Sequence, residues 1–286
     1  MPRFAYVNGR YVRHADAMVH VEDRGYQFAD GVYEVIHIRD GRMIDADPHF
    51  ERFDRSLAEL SIAAPMSRAA LRLVLEELLA RNGIRNGLLY FQSTRGVAPR
   101  DHKFPHSGRT SLVATAKHLK PLASALLEKG VAVITIPDIR WARCDIKSLA
   151  LLPNVLGKQQ AVDAGAYEAW QVDPGGEITE GTTTNAWIVT TQGRVTTRAL
   201  GHEILPGIVR RSLVGILAEM EVGFDQRSFT LAELREAKEA FLTSSSGFLL
   251  PVTRVDGAPV ADGKVGSLTR ELRRRMDAEI ARQSAA

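Results

Sequence analysis

Cysteine is almost absent from this chain, because Cys144 is the only one among its 286 residues. A single cysteine cannot form an internal disulfide, so a reducing compartment fits best and the cytoplasm is the expected location. No apolar run approaches the roughly 18 residues of a membrane-spanning helix, and the first residues lack the pattern of a secretion signal. The sequence therefore predicts a cytoplasmic protein with no membrane partner.

A strong charge of one sign is also lacking, since the formal net charge is +3. The densest cationic cluster is Arg273-Arg274-Arg275, and it lies in a helical pattern with Leu272 and Met276. That pattern favours a solvated helix face over a nucleic-acid site. We expect no nucleic-acid partner.

The motifs of several large enzyme classes are missing. The chain has no glycine-rich dinucleotide motif, no phosphate-binding P-loop, no zinc-protease histidine pair and no serine-hydrolase elbow. Its eight histidines are scattered without the spacing of metal ligands, so no metal is predicted.

What is present is the pattern of an ordinary globular protein, with 45% hydrophobic and 25% charged residues. Two dipeptides, Asn8-Gly9 and Asp40-Gly41, predict tight hairpin turns. Asp47-Pro48 predicts a helix start, with Asp47 as the N-cap and Pro48 at the first position. A second helix is predicted over 68–81, ending at Asn82-Gly83. Because hairpins alternate with helices, the chain is predicted to be α+β with mixed or antiparallel sheets.

The length gives a soft expectation of about two domains. Residues 117–122 contain Pro121 and have the character of a linker. We therefore predict a small N-terminal α/β domain over 1–119 and a larger C-terminal domain over 120–286.

Lys147 is the first candidate functional residue. It follows the apolar, β-branched run 131–136, which predicts a buried strand, and it precedes the apolar stretch 149–152. Burial lowers the pKa of a lysine, and a neutral amine can attack a carbonyl to form a Schiff base. The ordinary alternative is a surface lysine at a strand end, and position alone does not decide between the two.

Other residues would suit an aldehyde cofactor that carries a phosphate. Glu180 lies in a turn at a strand end and could pair with a cationic ring nitrogen, although taken alone the ordinary interpretation of a solvated turn residue is favoured. Two anion sites are possible: the helix start at Gly207-Ile208-Val209 and the hydroxyl run Ser244-Ser245-Ser246. Most helix starts and serine runs bind only water, so each of these signals is weak by itself.

Many short motifs, in order along nearly the whole chain, resemble the class IV aminotransferases, which use pyridoxal 5′-phosphate (PLP) on the fold called type IV. The motifs are Asp23-Arg24-Gly25-Tyr26-Gln27-Phe28, Asp30-Gly31-Val32-Tyr33-Glu34-Val35, His49 with Arg52, Thr94-Arg95-Gly96, Arg100 with His102, Arg143-Cys144-Asp145-Ile146-Lys147-Ser148, Thr179-Glu180-Gly181 and Gly207-Ile208. The resemblance implies a small N-terminal α/β domain and a larger C-terminal domain with a barrel-like mixed sheet.

The resemblance implies two roles at the reacting end of the cofactor. Lys147 would hold PLP as a Schiff base and then move the proton between the substrate Cα and cofactor atom C4′. Glu180 would keep the pyridine nitrogen protonated, so that the ring can absorb electrons.

It also implies a phosphate cradle. Arg52 would clamp the phosphate bidentately, the backbone amides of Ile208 and Val209 together with Ser245 would complete the cradle, and His49 would support it. Val209 is a departure, because relatives can carry a threonine hydroxyl at this position. The backbone donor remains at Val209 but the hydroxyl is lost.

Within the class, Tyr33 together with Arg100 and His102 resembles the D-amino-acid aminotransferases, in which these residues bind the substrate carboxylate. The implied reaction is ping-pong transfer of an amino group between D-amino acids, such as D-alanine and D-glutamate, and 2-oxo acids. The loop that carries Arg100 and His102 would reach the neighbouring subunit's site in a homodimer.

Two kinds of alternative remain open. One is another activity on the same fold: branched-chain L-amino-acid or (R)-amine transamination, or aminodeoxychorismate lyase action. The presence of Arg100 and His102 disfavours these activities. The other is a non-catalytic PLP-binding protein, which the joint presence of Lys147 and Glu180 disfavours.

Overall fold

The computed structural model describes residues 3–106 and 108–285, and the chain divides into two compact units. The first unit comprises Met1–Lys120, Ile146–Ala150 and Arg282–Ala286, and the second comprises Pro121–Asp145 and Leu151–Ala281. A single division at residue 120 would assign Lys147 to the C-terminal part of the chain. In the structure the short segment Ile146–Ala150, which contains this lysine, clusters with the first unit.

The first unit is built on a six-stranded antiparallel sheet with the order β2-β1-β6-β5-β3-β4. Its elements are β1 (Phe4–Val7), β2 (Arg10–Arg13), a 3₁₀ turn (His14–Asp16), α1 (Arg24–Phe28), β3 (Gly31–Arg39), β4 (Arg42–Met43), α2 (Ala46–Glu59), α3 (Arg68–Asn82), β5 (Gly87–Thr94) and β6 (Ser111–His118). Helix α2 packs on β3, and α3 packs on β1 and β6. Between these helices and the sheet lies a core of leucine, isoleucine and phenylalanine side chains.

Both predicted hairpin turns are confirmed. Asn8 and Gly9 connect β1 to β2, and Asp40 and Gly41 connect β3 to β4. In each pair both residues have positive φ, with 46° and 94° in the first turn and 51° and 84° in the second. These angles match the tight turns that suit the right-handed twist of paired strands.

Of the two helices predicted for this unit, the end of one is confirmed and the start of the other is wrong. Helix α3 spans Arg68–Asn82 and ends at Gly83, whose φ is +61°, so the predicted stop is confirmed. The predicted start of α2 is wrong, because the helix begins at Ala46 with Asp45 as its N-cap residue. The backbone N–H of Asp45 donates to Gln283 Oε1 at 2.8 Å, and a long-range contact of this kind leaves no local sequence signal.

The second unit is built on a nine-stranded mixed sheet with the order β12-β11-β10-β13-β14-β7-β8-β9, in which β15 pairs with β14. Its elements are α4 (Ser124–Glu128), β7 (Val131–Pro137), α5 (Leu152–Asp163), β8 (Glu168–Val172), β9 (Ile178–Gly181), β10 (Asn185–Val189), β11 (Val195–Thr197), α6 (Ile208–Glu219), β12 (Phe224–Gln226), α7 (Leu231–Glu236), β13 (Glu239–Ser244), β14 (Phe248–Val255), β15 (Ala258–Pro259) and the last helix of the chain, α8 (Ser267–Ala285).

This sheet curls towards a barrel. Strand β9 lies at one end of the strand order, yet it contacts β10 in the middle of the order. A core around Trp170, Phe229 and Leu250 packs against the curled sheet. The predicted α+β fold, with a barrel-like mixed sheet in the C-terminal part, is thereby confirmed.

Candidate active site

Lys147 is held by backbone pairing with β3 rather than by the strand that precedes it in sequence. Tyr33 N–H donates to the Lys147 carbonyl at 3.0 Å, and Leu149 N–H donates to the Gly31 carbonyl at 3.0 Å. A Cβ atom on Gly31 would lie 2.8 Å from Leu149 Cδ1 and 2.6 Å from the Ser93 carbonyl, so only glycine permits this approach. The expectation that Lys147 directly follows the 131–136 strand is therefore corrected.

The side chain of Lys147 is half-buried and lies over an aromatic ring. Its Nζ atom is 4.3 Å from the ring centroid of Tyr33, which itself stacks on Tyr90 at 5.6 Å. The backbone N–H of Lys147 also donates to the Ser56 hydroxyl of α2 at 3.3 Å. Strand β3 and helix α2 thus fix the backbone of the lysine, while its amine lies over the ring of Tyr33.

The opposite face of β3 carries a buried ion-pair cluster, in which Glu34 is the member that had no predicted role. Glu34 is fully buried and accepts from Arg52 Nε and Arg52 Nη2, each at 2.8 Å. Glu34 Oε2 also lies 2.6 Å from His49 Nδ1. His49 and Arg52 are three residues apart on α2, so they share one helix face. The sequence did contain one sign of this cluster: Tyr33 and Glu34 are neighbours in a predicted strand, so their side chains point to opposite faces.

Charge pairing decides the ionisation of this cluster. Burial by itself would raise the pKa of Glu34, but the charges and hydrogen bonds of Arg52 and His49 lower that pKa to about 2. Burial lowers the pKa of His49, and this effect outweighs the opposing effect of Glu34. Glu34 is thus a permanent anion at neutral pH that accepts from Arg52 and faces Nδ1 of His49.

This geometry limits the role predicted for Arg52. Its Nε and Nη2 atoms form the fork that faces Glu34, so the same fork does not clamp a phosphate. A phosphate would have to approach the other edge of the guanidinium.

Arg100 and His102 both contact a different aromatic ring, that of Phe28. The Arg100 guanidinium carbon is 4.5 Å from the ring centroid of Phe28, and the His102 ring lies 5.5 Å from the same centroid. Both side chains are exposed. The structure therefore places the three predicted carboxylate ligands in two groups, with Tyr33 beside Lys147 and the other two residues on Phe28.

In the second unit, Glu180 lies near the end of β9 as a buried carboxylate with several donors. It accepts from Asn185 Nδ2 at 3.0 Å and from the backbone N–H of Leu205 at 3.2 Å, and it forms an ion pair with Arg140. Arg140 in turn donates to Asp138 Oδ1 at 3.0 Å through Nε and to Asp138 Oδ2 at 2.7 Å through Nη2. Arg140 was not identified from the sequence, although Asp138 and Arg140 form a polar pair just after the predicted strand.

The charges around Arg140 also bear on the single thiol. Burial raises the pKa of Cys144 to about 12, and the nearby carboxylates add to this rise against the opposing charge of Arg140. A thiol that stays protonated at neutral pH is a poor nucleophile. Lys147, rather than Cys144, is therefore the candidate nucleophile.

The second unit also contains both predicted anion sites. Ile208 and Val209 are buried in the first turn of α6, where backbone N–H groups lack helical acceptors. A Cβ atom on Gly207 would lie 2.0 Å from Asn185 Oδ1, which accounts for the glycine before the helix. Ser245 lies in the turn between β13 and β14, where Gly247 N–H donates to Ser244 Oγ at 3.2 Å.

These residue types fit PLP. A lysine on an aromatic ring can react with its aldehyde, a buried carboxylate can pair with its pyridinium, and first-turn amides with a serine turn can bind its phosphate. In the part of the chain that the structure describes, no group of three or more histidine, cysteine, aspartate or glutamate residues could hold a metal ion.

Comparison with known proteins identifies the class. The family model described as amino-transferase class IV matches residues 31–255. Two solved structures share the fold. One is a branched-chain amino acid aminotransferase of Escherichia coli, with a TM-score of 0.89 at 21% identity over 97% of this chain and 94% of that one. The other is a T.th. branched-chain amino acid aminotransferase solved with pyridoxamine 5′-phosphate, with a TM-score of 0.89 at 23% identity over 99% and 95% of the two chains.

The curated relatives are more similar in sequence. A D-alanine aminotransferase of Staphylococcus haemolyticus is 41% identical over 269 residues, which are 93% of this chain and 94% of that protein. One of Listeria monocytogenes serotype 4b is 40% identical over 276 residues, 96% and 95% of the two chains. The chain belongs to the class IV aminotransferases and is an enzyme whose cofactor is PLP. Among the described helices, none is long and apolar enough to cross a membrane.

The Glu34 cluster yields a prediction for stability. The native pKa of Glu34 lies below its ordinary value of 4.5, so its carboxylate contributes fully above that pH and loses its contribution as the pH falls towards 2. A shift of this size corresponds to about 3 kcal/mol. We expect Glu34→Gln to lower the free energy of unfolding in urea by about this amount near neutral pH, and the deficit to shrink as the pH falls from 4.5 to about 2.

The matched control is Glu76→Gln, which changes an exposed glutamate on α3. It should leave the stability curve nearly unchanged. A deficit for Glu34→Gln that stays constant across the same pH range would contradict the assignment of a permanent buried anion.

Proposed function

We propose that the chain is a D-amino-acid:2-oxo-acid transaminase that works by a ping-pong mechanism, with D-alanine or D-glutamate as donor and an acceptor such as 2-oxoglutarate. The observation that carries this proposal is the pairing of Arg100 with His102 on one ring, which presents a cation and an imidazole together in an exposed loop. The D-alanine aminotransferase relatives support the same donor class.

Bound PLP supplies an electron sink for the pair of electrons that the substrate Cα–H bond leaves behind. Lys147 would take that proton from Cα and deliver it to cofactor atom C4′, and the reverse transfer would complete the second half of the cycle. Glu180 would accept the pyridine N–H. Its bonds from Asn185 and Leu205 hold the carboxylate in one orientation for that purpose.

The cofactor phosphate is proposed to bind to donors of both kinds. The first-turn amides of Ile208 and Val209 and the hydroxyl of Ser245 provide neutral donors, and Arg52 provides a cation. His49 acts indirectly, because it shares Glu34 with Arg52 and so fixes the angle of the guanidinium.

The substrate carboxylate sets the choice of enantiomer. Lys147 can remove a proton only from its own face of the cofactor, so the position at which the carboxylate is held decides which enantiomer offers its Cα hydrogen. Arg100, His102 and Tyr33 offer a cation, an imidazole and a phenol for this one carboxylate. The likeness to branched-chain enzymes at 21–23% identity supports the fold alone and does not favour their L-specific reaction.

We further propose a homodimer with shared sites and a cytoplasmic location. Arg100 and His102 contact Phe28, whereas Lys147 contacts Tyr33, and this grouping fits a carboxylate site that a second copy of the chain completes. A single cysteine fits a reducing compartment.

The first test concerns Lys147. We expect Lys147→Ala to abolish the visible absorption of bound PLP and essentially all turnover, because no amine then reaches the cofactor aldehyde. The control Lys264→Ala removes a lysine whose side chain is 80% exposed, and it should keep both properties. An unchanged spectrum and rate in Lys147→Ala would remove the basis of the proposal.

The second test concerns donor choice. The unmodified enzyme should strongly prefer D-alanine or D-glutamate over the L-enantiomers in kcat/KM. Arg100→Ala should lower kcat/KM for D-alanine by roughly tens- to thousands-fold, because a charged contact worth about 2–5 kcal/mol is lost. Arg39→Ala, at an exposed arginine of the same unit, should change little.

Comparable rates with L-leucine and D-alanine would contradict D-specificity. A fall in Arg100→Ala that also affects donors without a carboxylate would contradict the role of Arg100.

The third test concerns the dimer. If the Arg100 loop serves the neighbouring site, a heterodimer of Arg100→Ala and Lys147→Ala subunits contains one intact site and one doubly defective site. Random exchange makes half of the dimers mixed, so equal mixtures of the two inactive variants should regain about a quarter of the unmodified activity. If exchange is demonstrated by mass and no activity returns, the loop acts within its own subunit.

A further inference from the structure

The loop that carries Arg100 and His102 is mostly exposed, and its described residues 97–106 contain no helix or strand beyond an isolated bridge between Val97 and Asp23. Something must hold the loop if its two side chains are to bind a carboxylate in fixed geometry. We infer that Arg24 and Phe28 of α1 are positioning residues for substrate carboxylate recognition, because both contact the loop and hold it in place. This inference rests on the proposed function of Arg100 and His102.

Arg24 holds the loop by its backbone. The guanidinium is buried, with 3% of the residue exposed, and its Nη1 donates to the Asp101 carbonyl at 2.6 Å while Nη2 reaches the His102 carbonyl at 3.5 Å. A buried guanidinium needs acceptors for its donors, and these loop carbonyls provide them. The chain is thus fixed at His102 and at the residue that follows Arg100.

Phe28 holds the loop by its side chains. One ring lies 4.9 Å from the guanidinium carbon of Arg24, 4.5 Å from that of Arg100 and 5.5 Å from the ring of His102. Contacts of a cation with a ring face favour one orientation of the guanidinium over the alternatives open to an exposed arginine. Phe28 therefore sets the direction of both proposed carboxylate ligands relative to each other.

Asp30 connects this support to the rest of the unit. Its Oδ2 atom accepts from Arg24 Nε and from Arg95 Nε, each at 2.8 Å, and Arg95 Nη2 donates to Asp30 Oδ1 at 3.0 Å. Burial would raise the pKa of Asp30, but the two arginines lower it, so the carboxylate stays charged. Arg95 also donates to the carbonyls of Leu60 and Ser61, just after α2.

This shared carboxylate makes the inference testable. When Arg24 is replaced, Asp30 keeps its two bonds to Arg95 and is not left as an unpaired buried charge. Helix α1 also keeps its cap, because Asp23 accepts from Gly25 N–H at 2.8 Å and from Thr94 Oγ1 at 3.1 Å. We therefore expect the variant to fold, with a loop that has lost its alignment.

The experiment compares two amino donors in the holoenzyme. D-Alanine carries the carboxylate that Arg100 and His102 would bind, and D-alaninamide carries an uncharged amide at the same place. Arg24→Met should lower kcat/KM for D-alanine by roughly ten- to a hundredfold, the effect of losing a charge-assisted hydrogen bond, mainly through KM. The rate with D-alaninamide and the visible spectrum of bound PLP should not change.

Two more variants separate positioning from general stability. Arg24→Lys keeps the charge beside Asp30 but cannot fork onto two carbonyls, so it should recover only part of the loss. Phe28→Leu keeps apolar bulk without a ring and should show the same donor selectivity as Arg24→Met. The control is Arg194→Met, since Arg194 also binds an aspartate side chain and a backbone carbonyl, but at the β11–β12 edge.

Equal losses for both donors, or no loss in the Arg24 and Phe28 variants, would overturn the inference. If Arg24→Met does not fold, the same comparison in Arg24→Lys and Phe28→Leu decides the matter. Arg100→Ala is measured in parallel. If it shows no selective loss with D-alanine, the proposed role of Arg100 fails, whereas a selective loss there without one in the Arg24 and Phe28 variants rejects only the positioning role.

Discussion

The backbone pairing between β3 and the segment that follows Ile146 is the constraint on which the proposed chemistry depends. The bonds from Tyr33 to Lys147 and from Leu149 to Gly31 bring a lysine to a strand more than a hundred positions earlier in the chain. Successive side chains of a strand point to opposite faces. One face of β3 therefore presents Tyr33 to Lys147, and the other presents Glu34 to α2. A shift of this pairing by one residue would turn Lys147 to the other face and separate it from the ring of Tyr33.

Buried carboxylates paired with arginine recur through both units. Glu34 holds Arg52, Asp30 holds Arg24 and Arg95, and Glu180 is held by Arg140. Replacing a whole buried pair by apolar groups often costs little, because desolvation offsets much of its Coulomb energy, whereas removing one partner leaves an unpaired buried charge. They do fix the direction of planar groups. In each case the pair either contains a residue with a proposed part in cofactor or substrate binding, or holds a loop that carries such residues.

Local signals predicted local structure well. The Asn8-Gly9 and Asp40-Gly41 turns and the end of α3 at Gly83 depend on backbone angles that neighbouring residues determine, and all three are as expected. The start of α2 was misplaced because Gln283, far along the chain, binds Asp45. Lys147 was identified from its motif. Its pairing with β3 was not predicted, because no periodicity in a single segment reveals which strand that segment will meet.

The candidate site shows the same difference between local features, which the sequence predicts, and long-range contacts, which it does not. The motifs predicted roles for Lys147, Glu180 and the first-turn amides of α6, since each has a recognisable residue type in a recognisable place, and these roles stay predictions. The ion pair of Arg140 with Glu180, the pairing of Glu34 with α2 and the contacts of the loop with Arg24 and Phe28 were not predicted, because each joins distant segments. The bidentate role predicted for Arg52 met a physical limit of the same kind, since its fork is already engaged by a carboxylate from another element.

The central claim is that Lys147 carries the cofactor, and chemical trapping tests it most directly. Borohydride reduces the C=N bond between a lysine and PLP to a stable secondary amine, which survives digestion and can be located by peptide mass spectrometry. We predict that reduction of the holoenzyme places the phosphopyridoxyl group on Lys147 and on no other lysine. Recovery of the group on a different lysine, or an unmodified Lys147 peptide after complete loss of the visible absorption, would contradict the account.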